Sequence, residues 1–110
     1  MKLIKSMVRP HKVDAVKDAV GKLSVSGITV TEVRGHGKQK GHTAMYRGRE
    51  YQVSLLPKME IELVVPDHLV DEVVKAIIQT AQTGEIGDGR VFVIPVHQIY
   101  RIRSGEREPG

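Results

Sequence analysis

Residues Met59 to Ala81 read MEIELVVPDHLVDEVVKAIIQTA, and the change of rhythm inside this stretch decides the fold. Met59, Ile61, Leu63 and Val65 alternate with Glu60 and Glu62. That period of two predicts a strand with one buried face. Pro66 and Asp67 mark a helix start, with Asp67 as the cap and Asp71 and Glu72 in the first turns. Leu69, Val70, Val73, Val74, Ile77, Ile78 and Ala81 then recur at helical spacing and form one apolar stripe. Gly84 stops the helix, and Val91 to Val96 is again a strand.

The first part of the chain repeats this order. Lys2 to Val8 is an apolar-rich strand ended by Pro10. Val13, Val16, Val20 and Leu23 fall on one helical face, Gly27 breaks the pattern, and Ile28 to Arg34 is a strand. Ile99 to Arg103 adds another strand at the end. Two βαβ halves predict an α+β protein, a ferredoxin-like βαββαβ sandwich with an extra C-terminal strand. Two helices cover only one face of its sheet. Apolar residues also occupy the other strand faces (Val64, Val91 or Phe92, Tyr100, Ile102), and self-association is the simplest cover for them.

At 110 residues the chain is one domain, 1–110, with room for a single core. It has 40% hydrophobic and 27% charged residues, the balance of an ordinary globular protein. No apolar run reaches membrane-span length and no signal-peptide pattern follows Met1, so a cytoplasmic location is expected. The absence of cysteine excludes disulfides and thiolate chemistry. The net charge of +4 suits an anionic ligand or surface without selecting one.

Between the halves, Gly35 to Lys58 holds several glycines and basic residues with Tyr46 and Tyr51. A structureless connection this long is unusual in a compact domain. Its composition cannot build a core, so a mobile loop is expected over about 37–57. Tyr51, beside Arg49 and Glu50, is placed to enter another enzyme's active site or to pack locally on the loop.

The remaining anomaly is Thr83 to Val93, TGEIGDGRVFV, with Arg101 and Arg103 downstream. Gly84, Gly87 and Gly89 let the backbone turn tightly and bring N–H groups toward an anion. Arg90 closes the turn. Arg101 and Arg103, on one face of a strand, would lie about 6.5–7 Å apart. Such an arrangement suits a polyphosphate. The same residues also suit a plain glycine-rich hairpin followed by a solvated basic strand. No Walker pattern is present.

Four segments in order resemble the PII nitrogen-regulatory signal-transduction proteins. They are Thr29 to Gly35 (TVTEVRG) running into Gly37 to His42 (GKQKGH), Tyr46 to Tyr51 (YRGREY), Leu56-Pro57-Lys58, and Thr83 to Val93 followed by Arg101 to Glu106 (RIRSGE). The resemblance spans Met1 to about Glu106. It implies a homotrimer of ferredoxin-like subunits that is not an enzyme. Such a trimer senses ATP or ADP, with Mg²⁺ and 2-oxoglutarate, in clefts between subunits.

Carried over residue by residue, Gly87, Asp88, Gly89 and Arg90 would wrap the phosphates, and Arg101 and Arg103 would reach them from a neighbour. Thr29, Gly35, Gly37, Lys38, Gln39, Glu62 and Val64 match positions around the nucleotide. Gln39 matches the Mg²⁺ ligand. Lys58 matches the partner of a 2-oxoglutarate carboxylate, with Lys40, Gly41 and Gly87 offering backbone contacts. Tyr51 matches the residue that a nucleotidyltransferase modifies. Implied partners are an ammonium transporter, which would recruit the protein to the membrane, or enzymes of nitrogen metabolism.

Three positions depart from the family pattern. Arg90 stands for the usual lysine, His36 for a common phenylalanine, and Arg49 for alanine or serine. Two other classes fit less well. A nucleic-acid-binding module suits the fold and charge, but the chain has only three tyrosines and one phenylalanine and no RNP-like run. For an enzyme, the sequence shows no Ser-His-Asp set, acidic metal cluster or obvious base near the glycine turn.

Overall fold

The protein is described from a computed structural model covering residues 1–25, 27–35, 43–46, 49–52 and 56–108. In chain order the elements are β1 (Lys2–Val8), a 3-10 turn at Pro10–Lys12, α1 (Val13–Gly21), β2 (Thr29–Gly35), β3 (Thr43–Tyr46), β4 (Arg49–Gln52), β5 (Leu56–Val65), a 3-10 turn at Asp67–Leu69, α2 (Val70–Ala81) and β6 (Arg90–Pro95). Four strands form one antiparallel sheet in the order β2-β5-β1-β6. Each half contributes one outer and one inner strand, which is the ferredoxin-like arrangement predicted from the two βαβ units.

Strand alternation sets which side chains meet the helices. Ile4, Ser6 and Val8 of β1 and Ile61, Leu63 and Val65 of β5 are buried on one face. Val16 and Val20 of α1 and Val73, Ile77 and Ala81 of α2 close over them. Each fully buried valine, leucine or isoleucine contributes about 1.5–3 kcal/mol relative to exposure. Ser6 is the one polar residue among those buried in the described chain, and its hydroxyl donates weakly to the Ile61 carbonyl at 3.5 Å.

Among the described residues no helix covers the opposite face. Cross-strand register places three rows on it: Val64–Leu3–Ile94, Thr29–Glu62–Lys5–Phe92, and Thr31–Glu60–Met7–Arg90. Val64, Phe92 and Ile94 remain 37%, 41% and 39% exposed, so this face carries apolar surface that the helices never reach. Lys5 sits between Glu60 at 3.6 Å and Glu62 at 3.8 Å, crossing from β1 to β5.

Four details differ from the sequence reading. Asp67 does not cap α2: its carboxylate takes Lys2 Nζ at 3.2 Å and the Met1 amine at 3.0 Å, and Pro66 precedes a 3-10 turn with no side-chain cap. A nearby cation on β1 outcompetes the backbone N–H groups for that carboxylate. Helix α2 ends at Ala81, where Gln82 turns extended, so Gly84 with φ +86 belongs to the following turn and not to the helix stop. The segment between the halves holds an antiparallel hairpin, β3 with β4, with Thr43 opposite Gln52 and Tyr46 opposite Arg49.

The expected last strand, Ile99 to Arg103, is reduced to a single bridge between Tyr100 and Arg107. Gly105, at φ +71, lets the chain reverse at once. The reversal is held by Arg101 N–H to Glu106 O at 2.9 Å, Gly105 N–H to Arg101 O at 2.8 Å and Glu108 N–H to Ile99 O at 2.8 Å. The Ile99 carbonyl and both backbone groups of Arg101 are spent within the turn.

Candidate functional site

The glycine turn between α2 and β6 is organised by Asp88. Its Oδ2 accepts the N–H groups of Thr83 and Gly84, each at 2.8 Å. Its Oδ1 accepts the Thr83 hydroxyl and, at 3.3 Å, Arg9 Nε. The hydroxyl bond from Thr83, followed by the Thr83 and Gly84 N–H groups and Arg9, holds the Asp88 carboxyl well below the ordinary carboxylate range. Arg9 also donates from Nη2 to the Ile86 carbonyl at 3.0 Å. The turn is thereby tied to the end of β1.

Glycines at 87 and 89 are required by geometry. Both adopt φ +103, which side chains rarely tolerate. At Gly89 a Cβ would stand 1.7 Å from the Met7 carbonyl oxygen, so the turn lies directly on the β1 backbone. Gly89 and Arg90 are exposed, and the turn's outer side is open to a ligand.

Lys58, on β5, reaches the same turn. Its Nζ donates to the Gly87 carbonyl at 2.7 Å. Partial burial lowers the Lys58 pKa, the Arg9 charge lowers it further, and Asp88 offsets part of this. Two cations, Lys58 from β5 and Arg9 just past β1, therefore converge on residues 86–88. A further anion beside them would relieve their mutual repulsion. A cavity of about 310 Å³ lies on the helix side of the turn, walled by Val8, Val74, Ile77 and Ala81 and backed by Asp88 to Val91. Its aliphatic walls do not include Lys58 or Glu62.

Other predicted positions fall into separate groups. Thr29 and Glu62 are cross-strand partners on the face away from the helices, and Val64 lies two residues further along β5 on that face. Lys58 and Glu62 are four residues apart on β5, a span of about 13 Å. Gly35 ends β2, opposite Leu56. Arg90 opens β6, opposite Met7. Arg101 binds Glu108 Oε1 through Nε at 2.8 Å, and Arg103 is exposed on the C-terminal turn. The two arginines are not on a strand, so the alternate-position argument for their spacing does not apply. His36, Gly37, Lys38, Gln39, Lys40, Gly41 and the Tyr51 side chain lie outside the described residues. Among the described residues no three His, Asp or Glu side chains gather as a metal cluster.

Sequence reasoning missed Arg9 and the internal role of Thr83. Arg9 precedes Pro10, which keeps it extended at φ −62, ψ 141. That would have been a signal for a side chain projecting off the strand end, but not for its partner 79 residues away. Thr83 with Asp88 is a recognisable turn pairing, because both side chains bond nearby backbone.

The family model described as nitrogen regulatory protein P-II matches residues 1–106. The chain is similar to the nitrogen regulatory protein P-II of Haemophilus influenzae, at 56% identity over 96% of this chain and 95% of that protein. It is 54% identical to nitrogen regulatory protein P-II 1 of Escherichia coli K12, over 98% of this chain and 96% of the relative. For the P-II protein of Klebsiella oxytoca the identity is 53%, with the same coverage.

Proposed function

Because this chain belongs to the P-II nitrogen regulatory protein family, with a role in nitrogen-regulation signalling, we propose that it acts as a trimeric sensor of ATP or ADP and of 2-oxoglutarate. The observation that carries the reading is the Lys58 Nζ bond to the Gly87 carbonyl. It joins the strand that closes the 36–55 connection to the glycine turn, and the Arg9 bonds to Asp88 and to the Ile86 carbonyl bring a second cation to the same turn, which supports a site for anionic groups.

In this reading the backbone of Gly87 to Arg90 receives the phosphates, with Thr29, Gly35, Gly37, Lys38, Glu62 and Val64 around the nucleotide. Arg101 and Arg103 come from a neighbouring copy. The scattered placement of these groups in one chain supports a site completed between copies, and the sheet face away from the helices supplies the surface for assembly. Lys58 takes the far carboxylate of 2-oxoglutarate, with Lys40, Gly41 and Gly87 alongside. Mg²⁺ would link phosphate oxygens to the 2-oxo acid, with Gln39 as a protein ligand; a hard cation held mostly by ligand oxygens needs no acidic cluster.

The 36–55 connection, with Tyr51, is the output. Lys58 lies just beyond its end, so a ligand that takes Lys58 from Gly87 changes how the connection is held. An ammonium transporter or an enzyme of nitrogen metabolism would read that change, and a nucleotidyltransferase acting on Tyr51 would modulate it. The test is light scattering followed by ATP calorimetry. A trimer with three equivalent nucleotide sites is expected. A monodisperse monomer at micromolar concentration would contradict the reading.

A further inference from the structure

An aspartate in the middle of a phosphate-binding turn needs explaining, since like charges repel. The structure supplies the reason. A carboxylate accepts about four hydrogen bonds. Asp88 already accepts four, from the Thr83 hydroxyl, the Thr83 and Gly84 N–H groups and Arg9. Thr83 Oγ is engaged as donor and as acceptor, accepting the Glu85 N–H at 3.2 Å while it donates to Asp88. Arg9 supplies the counter-charge and grips the Ile86 carbonyl as well.

We propose that Thr83, Asp88 and Arg9 form a clasp that positions the glycine turn for a polyphosphate. Asp88 holds the turn from inside, Thr83 sets Asp88, and Arg9 fastens the turn to the end of β1. Thr83 and Asp88 act through the backbone of Gly87 to Arg90 and not by touching ligand. This rests on the nucleotide reading above and adds the residues that make its turn rigid before ligand arrives. Two glycines at φ +103 would otherwise leave the segment free to sample many conformations. Fixing them in advance removes an ordering cost from binding.

Thr83 is the informative residue because it is two steps removed from any ligand. Calorimetry of Mg-ATP binding is run on the wild type, Thr83→Val, Thr83→Ser, Asp88→Ala and the Thr83→Val/Asp88→Ala double variant, each with a thermal melt. Thr83→Val removes the hydroxyl at similar size, and with it the bond to Asp88 and the bond from the Glu85 N–H, and should weaken ATP by about tenfold. Thr83→Ser should restore wild-type binding. The double variant should bind no more weakly than Asp88→Ala alone, since both changes break one clasp. Thr83→Ser should melt like the wild type and Thr83→Val somewhat lower, because Thr83→Val loses the same bonds in the free protein. Wild-type affinity in Thr83→Val, equal loss in Thr83→Val and Thr83→Ser, or multiplied losses in the double variant would overturn the clasp. A wild type that binds no ATP would instead overturn the nucleotide reading, and the clasp's purpose with it.

Discussion

Lys58 Nζ donates to the Gly87 carbonyl across 2.7 Å, joining two residues 29 positions apart in sequence. One stands on β5 just past the 36–55 connection, the other at the tip of the glycine turn. A ligand that draws Lys58 away from Gly87 breaks this link between the strand and the turn.

Lys58→Met should separate the two halves of the site. The variant keeps the apolar stem and loses the charge. Loss of 2-oxoglutarate binding by at least tenfold is expected, because a charge-assisted hydrogen bond is worth roughly 1.5–3 kcal/mol. ATP alone should bind within about threefold of wild type, a shift of under about 1 kcal/mol. Calorimetry with each ligand checks this; equal losses for both would mean that Lys58 serves the turn in general and not the 2-oxo acid.

Lys58 also carries a pH signature. Its pKa is lowered by burial and by Arg9, so the folded protein disfavours its proton and that penalty disappears as pH rises through the lowered value. A carboxylate bound beside it favours the charged form. Affinity for 2-oxoglutarate should therefore fall as the solution becomes alkaline, beginning below the roughly 10.4 of a free lysine. A pH-independent affinity up to that point would contradict the contact.

Gly89 and Gly84 offer a paired test of the turn. Both have positive φ, but a Cβ at Gly89 collides with the Met7 carbonyl while one at Gly84 meets nothing within 4 Å. Gly84→Ala should cost only the backbone strain, about 1–2 kcal/mol. Gly89→Ala should cost more than that and also abolish ATP binding, because the turn must lift off β1. Denaturant melts and ATP titration of both variants decide it; similar behaviour would show that close approach to β1 is not what fixes the turn.

Asp88 predicts an acid limit. Its carboxyl is depressed in the fold, so its contribution is complete above the unfolded value of about 3.9 and is lost only as pH falls through the lower folded value. Carbon NMR of the Asp88 carboxyl should show a midpoint below 3.9, the approximate value of a free aspartate. A midpoint at or above it would mean that the Thr83 and Gly84 bonds are not persistent.

Much of this fold was legible because its signals are local. The alternation of Met59 to Val65 and the stripe from Leu69 to Ala81 each depend on neighbours in sequence, and the structure buries or half-buries those faces except at Ile78, which stays 45% exposed at the edge of the stripe. The C-terminal strand was not legible, because Tyr100 and Ile102 alternate whether or not a partner strand exists, and Gly105 diverts the chain into its own turn. Asp67 was misread for a related reason: its competitor for the helix N-terminus is Lys2, 65 residues away. In the site, the glycines of the turn announced themselves, whereas Arg9 did not. Its function comes from where β1 ends in space, and no spacing rule connects it to Asp88.

The most direct test is calorimetric titration of 2-oxoglutarate into the protein alone, with Mg-ADP, and with Mg-ATP. The account predicts measurable binding only with Mg-ATP, and ATP tightened by 2-oxoglutarate through the same coupling, about 1–3 kcal/mol in either direction. Equal affinity for 2-oxoglutarate in all three states would contradict it.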